Sequence, residues 1–345
     1  MFGKHHKKRS SNILFVIFRL ILSFVMLTVL LGGSYAAYKQ FSGTDPLKLD
    51  PLSIAKSLLA ARTPQQFVKA IPSFKFDSKT SQPEKTILGE AAKTGSQSDS
   101  KESNKRSLFR FLMVADSHSD NANLAKALIQ ATSAYPDLKF LIGLGDYTEV
   151  GTIAELKAAK KVFDSGNLRY FLIPGDHDLW DCRNRSLAPI SCFEEVFGSS
   201  YQSFIFENFK FLMLDNSDNY KGFDNTQSEW ITTELEKVKQ EGNKGVLVFL
   251  HKPLYHPSSD HVMGAVEKSL KNQAGGLIFQ LKEFNTTEVF AGDTHFTSRY
   301  QEPKTNLTMS TVGAVTLERN PQVPRFAIVT VFEDGSLRAE DIEIK

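Results

Sequence analysis

A chain of 345 residues, 41% hydrophobic and 23% charged, has room for two domains or for one large domain with appendages, and its composition excludes wholesale disorder, collagen and a multi-span membrane protein. Two cysteines in this length exclude a disulfide-dense scaffold and a Cys-rich zinc module. The net charge of +2 is unevenly placed: six of the 41 basic residues precede the first acidic one, Asp45, and the remaining 35 face 39 acids, which argues against a nucleic-acid-binding surface on the main body.

The chain opens with a basic head, residues 1–12, in which Lys4, Lys7, Lys8 and Arg9 cluster. A transmembrane anchor is predicted at residues 13–32, because Arg19 is the only charge between Ile13 and Leu31. As a helix this run spans about 28 Å, one bilayer crossing. Retention of the basic cluster in the cytoplasm makes this a single-pass plasma (inner) membrane protein with its N-terminus inside and everything after Leu31 outside. A signal peptide cleaved near Ser34-Tyr35-Ala36 is the alternative, and the length of the apolar run favours the uncleaved anchor. Residues 33–107 read as a partly disordered tether. Ile54 to Val68 carries a short amphipathic pattern, whereas Ser78 to Ser107 is rich in Ser, Lys, Gln, Gly and Glu.

From Leu108 the texture changes, and residues 108–345 read as a layered α/β domain. Leu108 to Ala115, Leu138 to Leu144, Arg169 to Pro174, Val246 to Leu250 and Glu288 to Ala291 are short continuous apolar runs, as strands buried on both faces should be. Helical patterns separate several of them. Thr152 with Glu155 and Thr226 with Glu229 have capping-box spacing, and Ile153, Leu156, Val162 and Ile231, Leu235, Val238 recur behind them at helical intervals. Beyond Phe296, the β-rich segments Met309 to Val315, Phe326 to Phe332 and Leu337 to Ile344 are expected to complete a second sheet.

Each apolar run ends in residues able to hold a cation: Asp116-Ser117-His118, Gly145-Asp146, Gly175-Asp176-His177-Asp178, His251, and Gly292-Asp293-Thr294-His295. Asp116, Asp146 and Asp176 follow one another at intervals of 30 residues, the length of a strand-helix-strand unit. Their side chains should therefore emerge along one sheet edge, where open α/β sheets bind ligands. So many carboxylates repel one another and resist desolvation unless cations bind among them. Any one of these pieces alone is a common turn or surface feature; five in this order indicate a metal site.

These residues resemble the calcineurin-like metallophosphoesterase superfamily, whose pattern is D-x-H, G-D-x-x-D, G-N-H-D/E, an isolated H, and G-H-x-H. Here the pattern reads DSH, GDYTE, GDHD, the H of FLHKPLYHP, and GDTH, over residues 108 to about 300. The resemblance implies an α/β fold, a four-layer sandwich of two mixed β-sheets flanked by helices, preceded here by the N-terminal transmembrane helix. It also implies two divalent cations bridged by Asp146, one held by Asp116, His118, Asp146 and His295 and the other by Asp146, Asp176, His251 and Asp293. Such a pair polarises a phosphoryl oxygen and makes a nucleophilic hydroxide available near neutral pH. His177 would stabilise transition-state charge or protonate the leaving oxygen, with Asp178 or Glu149 orienting its ring. Three positions depart from the pattern: Asp176 stands for Asn, Asp293 for the first His of the last motif, and Glu149 for the second Asp of the second motif. Three carboxylates and one imidazole at the second position favour Mn, Mg or Fe over Zn.

Cys182 and Cys192 flank a loop directly after GDHD and can form a disulfide in an exported protein. Within that loop Arg183 and Arg185 are candidates to read a phosphate, or are solvated loop charges. The function expected is a membrane-anchored, extracytoplasmic metal-dependent phosphoesterase acting on a phosphomonoester or phosphodiester: a phosphorylated small molecule, or a lipid or cell-envelope phosphoester. The alternative is a non-hydrolytic member of the fold, a binding or scaffold protein at the membrane surface, for which Asp293 is the main sequence feature.

Overall fold

The computed structural model describes Met26 and residues 105–345. Apart from Met26 and residues 105–107, the expected basic head, transmembrane anchor and tether lie outside the described residues, as does the stretch from Ile54 to Val68. Among the described residues no helix is long and apolar enough to cross a membrane.

The apolar runs do form strands, and the alternation within each sorts its side chains between two cores. In chain order, β1 (Ser107–Val114) leads through α1 (Asn121–Ala134) to β2 (Leu138–Gly143), and α2 (Ile153–Ser165) leads to the short β3 (Tyr170–Leu172). Two short helices, α3 (Trp180–Asn184) and α4 (Ser191–Phe197), precede the hairpin of β4 (Gln202–Phe206) and β5 (Phe209–Met213). Then come α5 (Asn225–Glu241), β6 (Gly245–Leu250), α6 (Leu270–Glu283), β7 (Thr286–Ala291), β8 (Ser298–Gln301), β9 (Thr308–Thr311), β10 (Arg325–Phe332) and β11 (Leu337–Glu343). One sheet has the order β11-β10-β1-β2-β3, the other β4-β5-β6-β7-β9-β8, and each mixes parallel and antiparallel pairs.

Phe109, Phe111 and Met113 of β1 and Phe140 of β2 pack against Phe211 of β5, Phe249 of β6 and Phe290 of β7, so the two sheets face one another across an aromatic core. The opposite face of the first sheet, with Leu112 and Val114, is covered by Leu124 and Leu128 of α1 and by Leu156 and Phe163 of α2. On the far side of the second sheet, Val246, Val248 and Leu250 meet Ile231 and Leu235 of α5 and Leu277 and Leu281 of α6. The result is four layers, helix-sheet-sheet-helix, as expected.

Two expectations are corrected. The segments Phe326 to Phe332 and Leu337 to Ile344 do not complete the second sheet; β10 pairs antiparallel with β1, with β11 beyond it, in the first. Of the three segments only Met309 to Val315, which β9 overlaps, joins the second sheet. Alternating apolar residues mark a strand but do not say which free edge it will find. Thr226 and Glu229 are not a capping box, either. The N-cap of α5 is Asp224, which accepts from the Gln227 N–H at 2.7 Å. That start lets the Gln227 side chain bond both the N–H and the carbonyl of Asp215, at 2.8 and 2.9 Å, and so tie the helix to the end of β5. Thr152 and Glu155 do form the expected capping box on α2.

A buried ion cluster fastens α5 to the second sheet. Glu234 of α5 accepts from Lys210 of β5, from Lys237 at 2.6 Å and from Ser203 of β4 at 2.6 Å. Burial raises the Glu234 carboxyl, but the bonds from Lys210, Lys237 and Ser203 outweigh it and bring the pKa to about 2, against an ordinary 4.5. Because the folded value is depressed, the contribution is present above about pH 4.5 and is lost as pH falls through about 2. Glu234→Gln should cost about 3 kcal/mol at pH 7, the scale for stripping one partner from a buried ion pair. In denaturant titrations the gap between variant and wild type should shrink steadily below pH 4.5.

Candidate metal centre

The chemistry collects where the parallel strands end. Asp116, Asp146 and Asp293 lie two or three residues beyond β1, β2 and β7, and His251 directly follows β6. Asp116, His118, Asp146, Asp293 and His295 all have positive φ, between 41° and 63°. Left-handed backbone is costly for residues other than Gly and is tolerated most readily by Asp, Asn and His. Here it turns the chain sharply at the sheet edge, and neighbouring strand-end loops hold it in place: Asp116 N–H donates to Gly145 O at 3.0 Å, His118 N–H to Asp146 O at 2.9 Å and Gly292 N–H to His251 O at 2.9 Å. Gly175 is needed for this close approach, since a Cβ there would lie 2.1 Å from Asp146 Oδ1.

Two ligand clusters result. Asp116, His118 and His295 form one, and Asp146, Asp176, His251 and Asp293 the other, each offering ligand atoms within 4.8 Å of one another. Asp146 Oδ2 lies between them, 3.6 Å from His118 Nε2 and 3.5 Å from His251 Nε2. In the first cluster His118 Nε2 and His295 Nε2 are 3.1 Å apart, and His295 Nδ1 is 3.1 Å from the Arg319 carbonyl. A ring that donates from Nδ1 to a carbonyl presents its Nε2 lone pair to the cluster. Burial, aided by the His177 and His295 rings against the opposing Asp146 charge, lowers His118 to about 4, so it is neutral and able to ligate at neutral pH.

In the second cluster His251 Nδ1 is 2.8 Å from the Leu144 carbonyl, while Nε2 has no hydrogen-bond partner and faces Asp146, Asp176 and Asp293 oxygens at 3.4–3.5 Å. Asp293 Oδ2 is likewise buried without a partner. Buried polar atoms are normally satisfied, and convergent acceptors left open in this way fit a cation. By donor chemistry, both clusters suit divalent metal ions: with Asp146 counted in each, the first has two imidazoles and two carboxylates, the second three carboxylates and one imidazole.

His177, expected as a catalytic group, lines the same cleft of about 390 Å³ as Asp146, Asp176, Asp293 and His295. Its Nδ1 is 2.7 Å from the Glu149 carbonyl and its ring stacks on Trp180 at 3.8 Å, which fixes its plane. It also forms a third group of possible ligands with His118 and Glu149. Glu149 thus orients the ring through its backbone, while its carboxylate pairs with Arg319.

Asp178, expected as a catalytic group beside His177, turns away from that ring. Its carboxylate is fully buried and accepts from Gly175 N–H at 2.9 Å, Thr148 N–H at 3.0 Å and Thr148 Oγ1 at 2.8 Å, so it fastens two strand-end loops together and leaves the His177 ring alone. Burial, reinforced by the Asp146 charge, pushes its pKa up to about 7. Arg183 and Arg185 do not line the cleft. Arg183 pairs with Asp218 at 3.2 Å and covers the Tyr220 ring, and Arg185 pairs with Asp181 one helical turn away. Cys182 and Cys192 are joined by a disulfide between α3 and α4. Replacing both with Ser should cost about 3 kcal/mol, the chain-entropy value for so short a loop. Equal unfolding midpoints for oxidised wild type and the double variant would contradict this.

The cleft residues not singled out from the sequence include Lys252, Asn219, His261 and Arg319. Lys252 Nζ lies 2.9 Å from Asp176 Oδ1 and 3.1 Å from Asp293 Oδ1. Burial opposes its charge, but Asp293 and Asp176 outweigh that and hold its pKa above the ordinary lysine value. Asn219 Nδ2 donates to Asp176 Oδ2 at 2.9 Å, and exposed His261 stands 4.0 Å from Asp293 Oδ1. The available signal was position: Lys252 is a charge immediately after a fully apolar strand and its terminal histidine.

Comparison with known proteins agrees with this geometry. Residues 109–296 match the family model described as calcineurin-like phosphoesterase. A probable glycerophosphodiester phosphodiesterase of Arcobacter nitrofigilis is 26% identical over 144 residues, 40% of this chain and 50% of that protein, so the chain spans about half the length of the curated relative it matches. A dimetal phosphatase from Danio rerio shares the fold with a TM-score of 0.53 at 16% identity, over 69% of this chain and 100% of that one. A purple acid phosphatase from yellow lupin (Lupinus luteus) seeds does so with a TM-score of 0.51 at 15% identity, over 69% of this chain and 52% of that one.

Proposed function

Because the chain belongs to the calcineurin-like phosphoesterase family, we propose that it is a metal-dependent hydrolase of a phosphomonoester or phosphodiester. The observation that carries this reading is the pair of strand-end clusters sharing Asp146, with His251 Nε2 and Asp293 Oδ2 buried and unpartnered between carboxylates. Asp116, His118, Asp146 and His295 would hold one cation and Asp146, Asp176, His251 and Asp293 the other. Bound there, the ions supply Lewis-acid polarisation of a phosphoryl oxygen and a nucleophile at neutral pH. Oxygen-rich ligation at the second position favours Mn²⁺, Mg²⁺ or iron over Zn²⁺.

The chain's own groups do the rest. His177 donates from Nδ1 to the Glu149 carbonyl, so that the ring in its imidazolium form presents its Nε2–H to the leaving oxygen. Arg319 lines the cleft and can pair with a phosphate oxygen while Glu149 holds its guanidinium.

The domain works outside the cytoplasm on an anchor at residues 13–32, a placement supported by the basic head before the apolar run and by the Cys182–Cys192 disulfide. A lipid or cell-envelope phosphoester suits that setting, and the relative named for a glycerophosphodiester supports a diester. The test is turnover of bis(4-nitrophenyl) phosphate and 4-nitrophenyl phosphate by the full chain, before and after chelation and with Mn²⁺ restored. Activity that stops with chelator and returns with Mn²⁺ is expected. Metal binding with no turnover of any phosphoester would favour the scaffold reading, for which Asp293 speaks.

A further inference from the structure

We infer that Lys252 governs occupancy of the second cation position by competing for the carboxylate oxygens that the ion requires. This rests on reading the two clusters as metal sites. Asp176 Oδ1 and Asp293 Oδ1 are the atoms that face His251 Nε2 at 3.4 and 3.5 Å, and the same two oxygens lie 2.9 and 3.1 Å from Lys252 Nζ. The side chain is not there by chance of a mobile stem. Lys252 is 8% exposed, and Asn216 clamps its backbone: Asn216 Oδ1 accepts from the His251 and Lys252 N–H groups at 3.1 and 3.0 Å, and Nδ2 donates to the Lys252 carbonyl at 2.7 Å.

The two positions therefore differ in kind. Among the described residues, Asp116 and Asp146 make side-chain ion pairs only with imidazoles, whereas Asp176 and Asp293 share a buried ammonium. Buried carboxylates need a counter-charge, and at the second position the fold supplies one itself. An ion arriving there must displace the ammonium or share its oxygens with a positive charge a few ångströms away, and either lowers its affinity. The first position has no such competitor and fills first.

The experiment is titration of the metal-stripped full chain with Mn²⁺, counting bound ions by calorimetry and by the electron paramagnetic resonance signal of free Mn²⁺. Wild type is compared with Lys252→Met, which keeps the bulk without the charge, and with Lys252→Gln, which keeps a donor to the carboxylates. Wild type should bind one ion tightly and a second more weakly, and both variants should bind the second ion at least about tenfold more tightly than wild type, with the first ion little changed. Thermal unfolding should show both variants less stable than wild type without metal and gaining more from added Mn²⁺. Identical isotherms for the three proteins, or weaker second-ion binding in the variants, would overturn the competition. So would failure of both variants to fold with Mn²⁺ present, because the ammonium would then be needed alongside the ion. Binding of no ion by any of the three would instead reject the metal-site reading beneath it.

Discussion

Asp146→Asn should remove bound metal and turnover together. Asp146 Oδ2 stands 3.6 Å from His118 Nε2 in one cluster and 3.5 Å from His251 Nε2 in the other, so neutralising it weakens both positions at once. The substitution is close to isosteric, and an asparagine oxygen can still accept the His177 N–H bond that Asp146 Oδ1 receives at 2.9 Å. The loop should therefore keep its shape, and circular dichroism of the variant should match wild type. Turnover should fall by at least about 10³-fold, the scale of losing the main electrostatic stabiliser of a transition state. Elemental analysis after gel filtration checks the other half. A variant that keeps its full metal content, or keeps its rate, would show that Asp146 does not bridge.

His177→Ala should separate chemistry from metal binding. The ring lines the cleft and is fixed by the Glu149 carbonyl and the Trp180 face, but it belongs to neither of the two clusters that share Asp146. Metal content should be unchanged, while kcat for an alkyl phosphoester falls by about 10²–10⁴, the range for a general acid or a charge-stabilising donor. The two roles differ in their dependence on the leaving group. If His177 protonates the leaving oxygen, the loss should be small for 4-nitrophenyl phosphate, whose leaving group needs little help, and large for an alkyl phosphoester. A loss of equal size for both would assign it to transition-state charge. No loss for either would remove it from the mechanism.

The residues of the two clusters were legible because each sits in a local motif at the end of a recognisable strand. A run such as Val246 to Leu250 followed by His251 carries its meaning within a few residues. The fold class followed from the same runs, since continuous apolar strands separated by helical patterns require layers on both faces. What escaped depended on contacts between distant parts of the chain. Nothing near β10 tells that its partner is β1, more than 200 residues earlier, rather than an edge of the second sheet. Asp178 looked like a companion of His177 because it is adjacent in sequence, yet the short helical turn at His177–Leu179 sends its carboxylate inward to Thr148 and Gly175. Lys252 and Arg319 were passed over because a basic residue is ordinary on a surface, and only the assembled sheet edge brings them to the carboxylates. Arg183 and Arg185 drew attention by following the GDHD motif, but their own neighbours Asp218 and Asp181 already occupy them.

The most direct measurement is anomalous diffraction at the manganese edge from crystals grown or soaked at saturating Mn²⁺. Two peaks are expected, one among Asp116, His118, Asp146 and His295 and one among Asp146, Asp176, His251 and Asp293, with Asp146 contacting both ions and the first peak reaching full occupancy at the lower concentration. Manganese bound elsewhere with both clusters left without an ion, or a single ion that touches neither Asp146 nor His251, would contradict the assignment of this sheet edge as a two-cation centre.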